Sequence, residues 1–156
     1  MRVLRYLLCL LLALGRPAYG QSVTPTFPVG GTQISAIASG SAVTLTTATT
    51  ANITTVTLTP GTWVCSGGVN FVAGTVAPSL LNGGLTPTSA TGPGYDGNFS
   101  ISQPTTAFSV ANQNHGLGMI VITTAANLQI WLYATATFAS GTAWKAYGTV
   151  NCVRVK

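Results

Sequence analysis

The sequence predicts an all-β protein, an antiparallel β-sandwich, and three observations lead there. Charged residues make up 4% of the 156-residue chain while hydrophobic residues reach 47%. An average soluble protein carries about 25% charge, and a disordered chain lacks the apolar half. The apolar residues recur in short alternating runs, the two-residue period of strands with one buried face. Turn residues punctuate those runs, and no amphipathic helical pattern follows residue 21. Thr and Ser occupy the outward positions where Lys and Glu usually stand, and Thr packs well on a pleated surface.

The N-terminus comes first. "MRVLRYLLCLLLALGRPAYGQS" carries Arg2 and Arg5, an apolar run from Leu7 to Leu14, and then Ala18-Tyr19-Gly20. Charged, apolar and small-residue zones in that order predict a signal peptide over residues 1–20. The run falls well short of the roughly 20 residues that span a membrane, so no stable span is expected after cleavage. Removal takes Arg2, Arg5 and Arg16. Lys145, Arg154 and Lys156 then stand against Asp96, a formal +2 in place of +5. Three cations make no basic stripe for a phosphate backbone, and nucleic acid is not an expected partner.

Residues 21–40 open with "QSVTPTFPVGGTQ" and read as an extended N-terminal arm. Residues 41–156 form the β domain, and the first candidate strand, 33–38, already lies in the arm. Further strands are expected over 42–47, 53–59, 62–73, 97–102, 106–110, 118–123, 128–139 and 143–155. Between them, "NGGLTPTSATGPGYDGN" (82–98) lacks periodicity and reads as a long loop.

Alternation assigns faces. Trp63 and Cys65 share one side of their strand, with Val64 and Ser66 on the other. Val150, Cys152 and Arg154 share one side of the last strand. Trp131 and Tyr133 oppose Ile130, Leu132 and Ala134, so that strand is apolar on both faces. It needs two covers, the core and a second surface, most simply a sister copy. Trp63, Trp131, Tyr133 and Tyr147 are the aromatic candidates for core or interface. With Cys9 removed, Cys65 and Cys152 remain as an even pair, either bridged in an oxidising compartment or separately buried as thiols.

Little here can do chemistry. The chain has one acid, Asp96, and one histidine, His115. Paired carboxylates for glycoside hydrolysis are missing, and no GxSxG elbow presents a serine. No enzyme activity, cofactor or metal site is expected. "NQNHGLG" reads as a polar turn that places His115 at the surface.

Two segments carry a family resemblance. "VTLTPGTWVCSGGVNF" resembles the strand after the Pro-Gly turn in trimeric jelly rolls of the complement globular-head and tumour-necrosis-factor type. "LQIWLYATATFASGTAWKAYGTVNCVRV" resembles their last two strands. "TLTPGTW", "ATFASGTAWKAYGTV" and the basic final residue are similar to small virion-surface proteins encoded by phages and prophages. The resemblance, over residues 42–155, implies a homotrimeric jelly-roll head. It also implies that the strand after the Pro-Gly turn neighbours the final strand, bringing Cys65 and Cys152 within disulfide reach. It departs from the pattern in its leader, unexpected for a virion protein assembled in the cytoplasm, and in lacking the acidic calcium ligands of some complement heads. Asn52-Ile53-Thr54 and Asn98-Phe99-Ser100 are read as ordinary strand and turn residues.

The expectation is therefore a non-enzymatic surface protein, exported or on a virion, acting as a decoration, fibre head or adhesin. Its partners would be itself, capsid or tail proteins, or host-surface glycans. The loop at Tyr95, Asp96 and Asn98 is the candidate ligand site: the ring can stack on a sugar while Asp96 and Asn98 bond its hydroxyls. The alternative is a secreted or periplasmic bacterial β-sandwich with a ligand-binding role.

Overall fold

A computed structural model describes residues 30–91, 101–105, 109–141 and 143–156. The expected signal peptide, and the arm up to residue 29, lie outside the described residues. Among the described residues there are nine strands and one turn of 3-10 helix: β1 Gly30–Ile37, the turn Ser39–Ser41, β2 Val43–Thr44, β3 Thr50–Leu58 and β4 Gly61–Val72. Then come β5 Pro78–Thr86, β6 Ile101–Thr105, β7 Gln113–Thr124, β8 Leu128–Phe138 and β9 Lys145–Arg154.

The strands form two antiparallel sheets. One has the order β1-β9-β4-β7, with β2 joining β9 beyond the end of β1, and the other runs β3-β8-β5-β6. The chain switches sheets at most connections, so no sheet neighbour is a sequence neighbour except β5 and β6. Counting β1 and β2 as one interrupted edge, this is the eight-stranded jelly-roll arrangement of two four-stranded layers. Residues 30–37, the later part of the expected arm, run along β9 as an edge strand. The Ser35 and Thr54 hydroxyls hydrogen-bond to each other and so tie β1 to β3 across the layers.

The core sits between the sheets and follows the alternation. Trp63, Cys65, Val69 and Phe71 of β4 meet Ile130, Leu132, Ala134 and Ala136 of β8. Trp63 donates its indole N–H to the Thr59 carbonyl at 2.9 Å, which satisfies its one polar atom inside the core. Trp144 does the same to Val76, also at 2.9 Å.

Close approach requires glycine at the turn into β4 and in β9. Gly61, in the Pro-Gly turn, has φ +145°, and a Cβ there would sit 2.6 Å from the Lys156 carbonyl. At Gly148 a Cβ would lie 2.2 Å from the Gly68 carbonyl of the neighbouring strand. Only a residue without a side chain lets β9 lie so close to β4.

Four expectations are corrected. β5 spans Pro78–Thr86, so residues 82–86 are strand where the sequence suggested loop. β7 starts at Gln113, so "QNHG" is strand rather than turn, and His115 is 4% exposed rather than on the surface. β2 is shorter than the strand expected over 42–47, because the backbone turns at Thr47–Ala48, with Ala48 at φ 57°. Of the two strands expected around residues 97–110, β6 covers 101–105, and Ser109 and Val110 lie outside any strand.

Candidate functional site

Cys65 and Cys152 face each other directly in the β4–β9 register, with Cα atoms 4.1 Å apart, and form a disulfide. Both are fully buried, so the bond staples adjacent strands from the core side. It also joins positions 87 residues apart in sequence.

His115 lies on the inner face of β7, edge-on to Phe71 with ring centroids 5.0 Å apart, a packing role. Asp96 lies outside the described residues, as do Tyr95 and Asn98, the other members of the candidate ligand loop. Among the described residues no cluster of His, Cys, Asp or Glu has metal-binding geometry. Also among them, no helix is long and apolar enough to cross a membrane.

The four aromatic candidates separate. Trp63 is buried in the core and Tyr133 is buried outside it, on the outer face of β8. That burial exists within a single chain. The sister copy expected to cover this strand is not what buries Tyr133. The connection after β5 is anchored beside it, where Asn52 donates to the Ser89 hydroxyl at 2.7 Å and accepts from the Ala90 N–H at 2.8 Å. Asn52, read from the sequence as an ordinary strand residue, is a tether. Trp131 and Tyr147 are half-buried. Trp144, which was not among the candidates, is fully buried. Continuing the alternation back from Cys152 through Val150, Gly148 and Ala146 reaches Trp144 on the inner side, and that signal was available.

The outer face of the β1-β9-β4-β7 sheet is left open by the described residues. The registers set out its rows. Thr32, Val153, Val64 and Val121 cross the sheet in one line, and Ile34, Asn151 and Ser66 form the next, with Met119 at a bulge in β7 beside them. Met119 is 79% exposed, Ile34 64%, Val121 61% and Val153 41%. Further along, Tyr147, Asn70 and Asn114 form a third line across β9, β4 and β7. Asn114 donates an amide hydrogen to the Asn70 carbonyl oxygen, and Asn112 accepts from the Ala73 N–H at 2.9 Å. Where β4 ends and β7 begins, these residues border a half-open cleft of about 110 Å³. By alternation, Lys145 is the one formally charged side chain that the described strands present on this face.

No known protein-family model matches this chain. No curated protein matches it. Solved structures do. The T13 viral particle of infectious bursal disease virus matches at TM-score 0.52 and 12% identity, over 91% of this chain and 36% of that one. The VP2 subviral particle of the same virus matches at TM-score 0.52 and 13% identity, over 91% of this chain and 38% of that one. The Gx strain structure matches at TM-score 0.50 and 13% identity, over 90% and 38%. The fold is the all-β sandwich of these viral proteins. At this identity the likeness is one of fold, and this chain spans 36% to 38% of the length of those it matches.

Proposed function

We propose that this chain is a non-enzymatic structural protein that assembles on itself as a homotrimeric head on a virion or cell surface. Its role would be that of a decoration, fibre tip or adhesin. The observation that carries the reading is the apolar stripe Ile34–Val153–Val64–Val121–Met119 on an open sheet face. Contiguous exposed apolar area of this kind marks an interaction surface. Four strands about 4.8 Å apart and roughly eight residues long present on the order of 500 Å² in projection. A standard interface takes about 800 Å² of accessible surface from each partner. The face offers almost no charge for a charged partner to complement, and equally none to repel a copy of itself.

The fold shared with proteins of an icosahedral viral particle supports a virion setting. The likeness of residues 42–155 to phage-encoded surface proteins supports a phage one, with capsid or tail proteins as neighbours. A second reading, a monomeric secreted or periplasmic ligand-binding protein, is favoured by the disulfide, which belongs to oxidising compartments. Light scattering coupled to size exclusion on the chain from Gln21 separates them. Three chains per particle is the expected result. A monomer or a dimer at micromolar concentration overturns the trimer.

A further inference from the structure

The outer end of the β9-β4-β7 sheet carries a group of side chains that neither the fold nor self-assembly requires. Asn70, Asn112, Asn114 and Tyr147 border the cleft, so three carboxamides and one phenol meet in one small depression. Lone asparagines on a strand are unfavourable, because the amide competes with the backbone for hydrogen bonds. Here the sheet sets Asn70 and Asn114 directly opposite each other, and their mutual bond holds both amide planes in place. The Ala73 N–H holds Asn112 in the same way. These bonds leave capacity. A carboxamide has two donors and an acceptor oxygen with two lone pairs, and the Asn114-to-Asn70 bond uses one hydrogen of the first and one lone pair of the second.

From this geometry we infer that the cleft is a binding site for a neutral saccharide, one pyranose ring deep. A sugar hydroxyl both donates and accepts, and so does a carboxamide, which makes rows of fixed amides complementary to vicinal hydroxyls. Tyr147, half-buried beside Asn70, offers a ring face to the apolar side of the sugar and a phenol to its edge. The volume of about 110 Å³ is a few waters' worth, too small for a drug-sized ligand and suited to a single ring. No lining residue is charged, so the site selects neither phosphate nor carboxylate. Its walls stand on three hydrogen-bonded strands, and little ordering entropy opposes binding. The inference deepens the surface-head reading by naming the chemistry such a head would engage, but the site lies within one chain and needs no trimer.

The test is a nuclear magnetic resonance titration of the labelled chain with lactose, cellotetraose, chitotetraose and mannotriose, each up to about 10 mM, the range of weak single-site affinity. At least one should shift the side-chain amide signals of Asn70, Asn112 and Asn114. Tyr147→Ala and Asn114→Ala should each weaken that binding about tenfold or more. Asn114 is exposed, so its truncation leaves the core intact. Val121→Lys, on the apolar stripe, should bind as the parent does. No shift with any of the four sugars, or shifts that survive both alanine variants unchanged, overturns the saccharide site. Light scattering on the same samples reports assembly separately, so loss of the sugar site and loss of the trimer are distinguishable results.

Discussion

At the scale of single residues, the tight positions are glycines and the polar atoms of buried aromatics. Gly148→Ala places a methyl against the Gly68 carbonyl and the Leu132 side chain, backbone on one side and core on the other. Overpacking of this kind costs about 1–3 kcal/mol, and the urea midpoint of the variant should fall accordingly. Trp144→Ala empties the largest class of core site while leaving the Val76 carbonyl without its indole donor. The expected loss is about 3–5 kcal/mol, read by chemical denaturation. Both positions were legible, Gly148 as a break in an otherwise alternating strand and Trp144 by parity with Cys152. His115 was not. Its neighbours Asn114 and Gly116 look like a turn, and only the pairing of Gly116 with Gly68 across the sheet makes that stretch a strand.

At the scale of elements, the β4–β9 pair organises the molecule. It is the centre of its sheet, it holds the disulfide, and it supplies the inner row that includes Trp63, Cys65, Val150 and Cys152. The cross-link closes a loop of almost 90 residues, for which chain entropy gives about 4.6 kcal/mol. The double variant Cys65→Ser, Cys152→Ser should therefore lose stability of about that size in urea, with the strand signature kept in its circular dichroism. A loss below about 1 kcal/mol would mean the unfolded chain gains no freedom on release of the bond. Two other elements show where local pattern fails. β5 is buried along both faces from Gly83 to Thr86, so it has no alternation to read, and its glycines look like loop. Gly83 is needed because a Cβ there would meet Val69 at 2.9 Å. β1 was divided between arm and strand because nothing local says that it lies along β9.

At the scale of the whole molecule, the two sheets differ in what their outer faces do. The β3-β8-β5-β6 face buries Tyr133 and Thr86 within its own chain, and the β1-β9-β4-β7 face leaves Met119, Ile34 and Val121 in water. Self-assembly through that second face predicts a specific separation of assembly from folding. Met119→Lys combined with Val121→Lys should convert the oligomer to monomers in light scattering. The melting temperature of the monomeric fold should stay within about 2 °C, because both side chains are exposed and touch no core. If the particle mass is unchanged by two lysines in the stripe, another surface joins the copies.

What the sequence determined by itself was the class of the fold, many strand positions, and which residues share a side in the strands that alternate. These are local properties: the two-residue period is written into a strand wherever one of its faces is buried and the other is not. Apart from the β4–β9 pair, which the family resemblance implied, the tertiary structure alone decided which strands became neighbours. Residues far apart in the chain were thereby gathered into the apolar stripe, the amide cleft and the Asn52 tether. Side-chain alternation carries no information about the identity of the adjacent strand. Only packing two twisted sheets around one core supplies it.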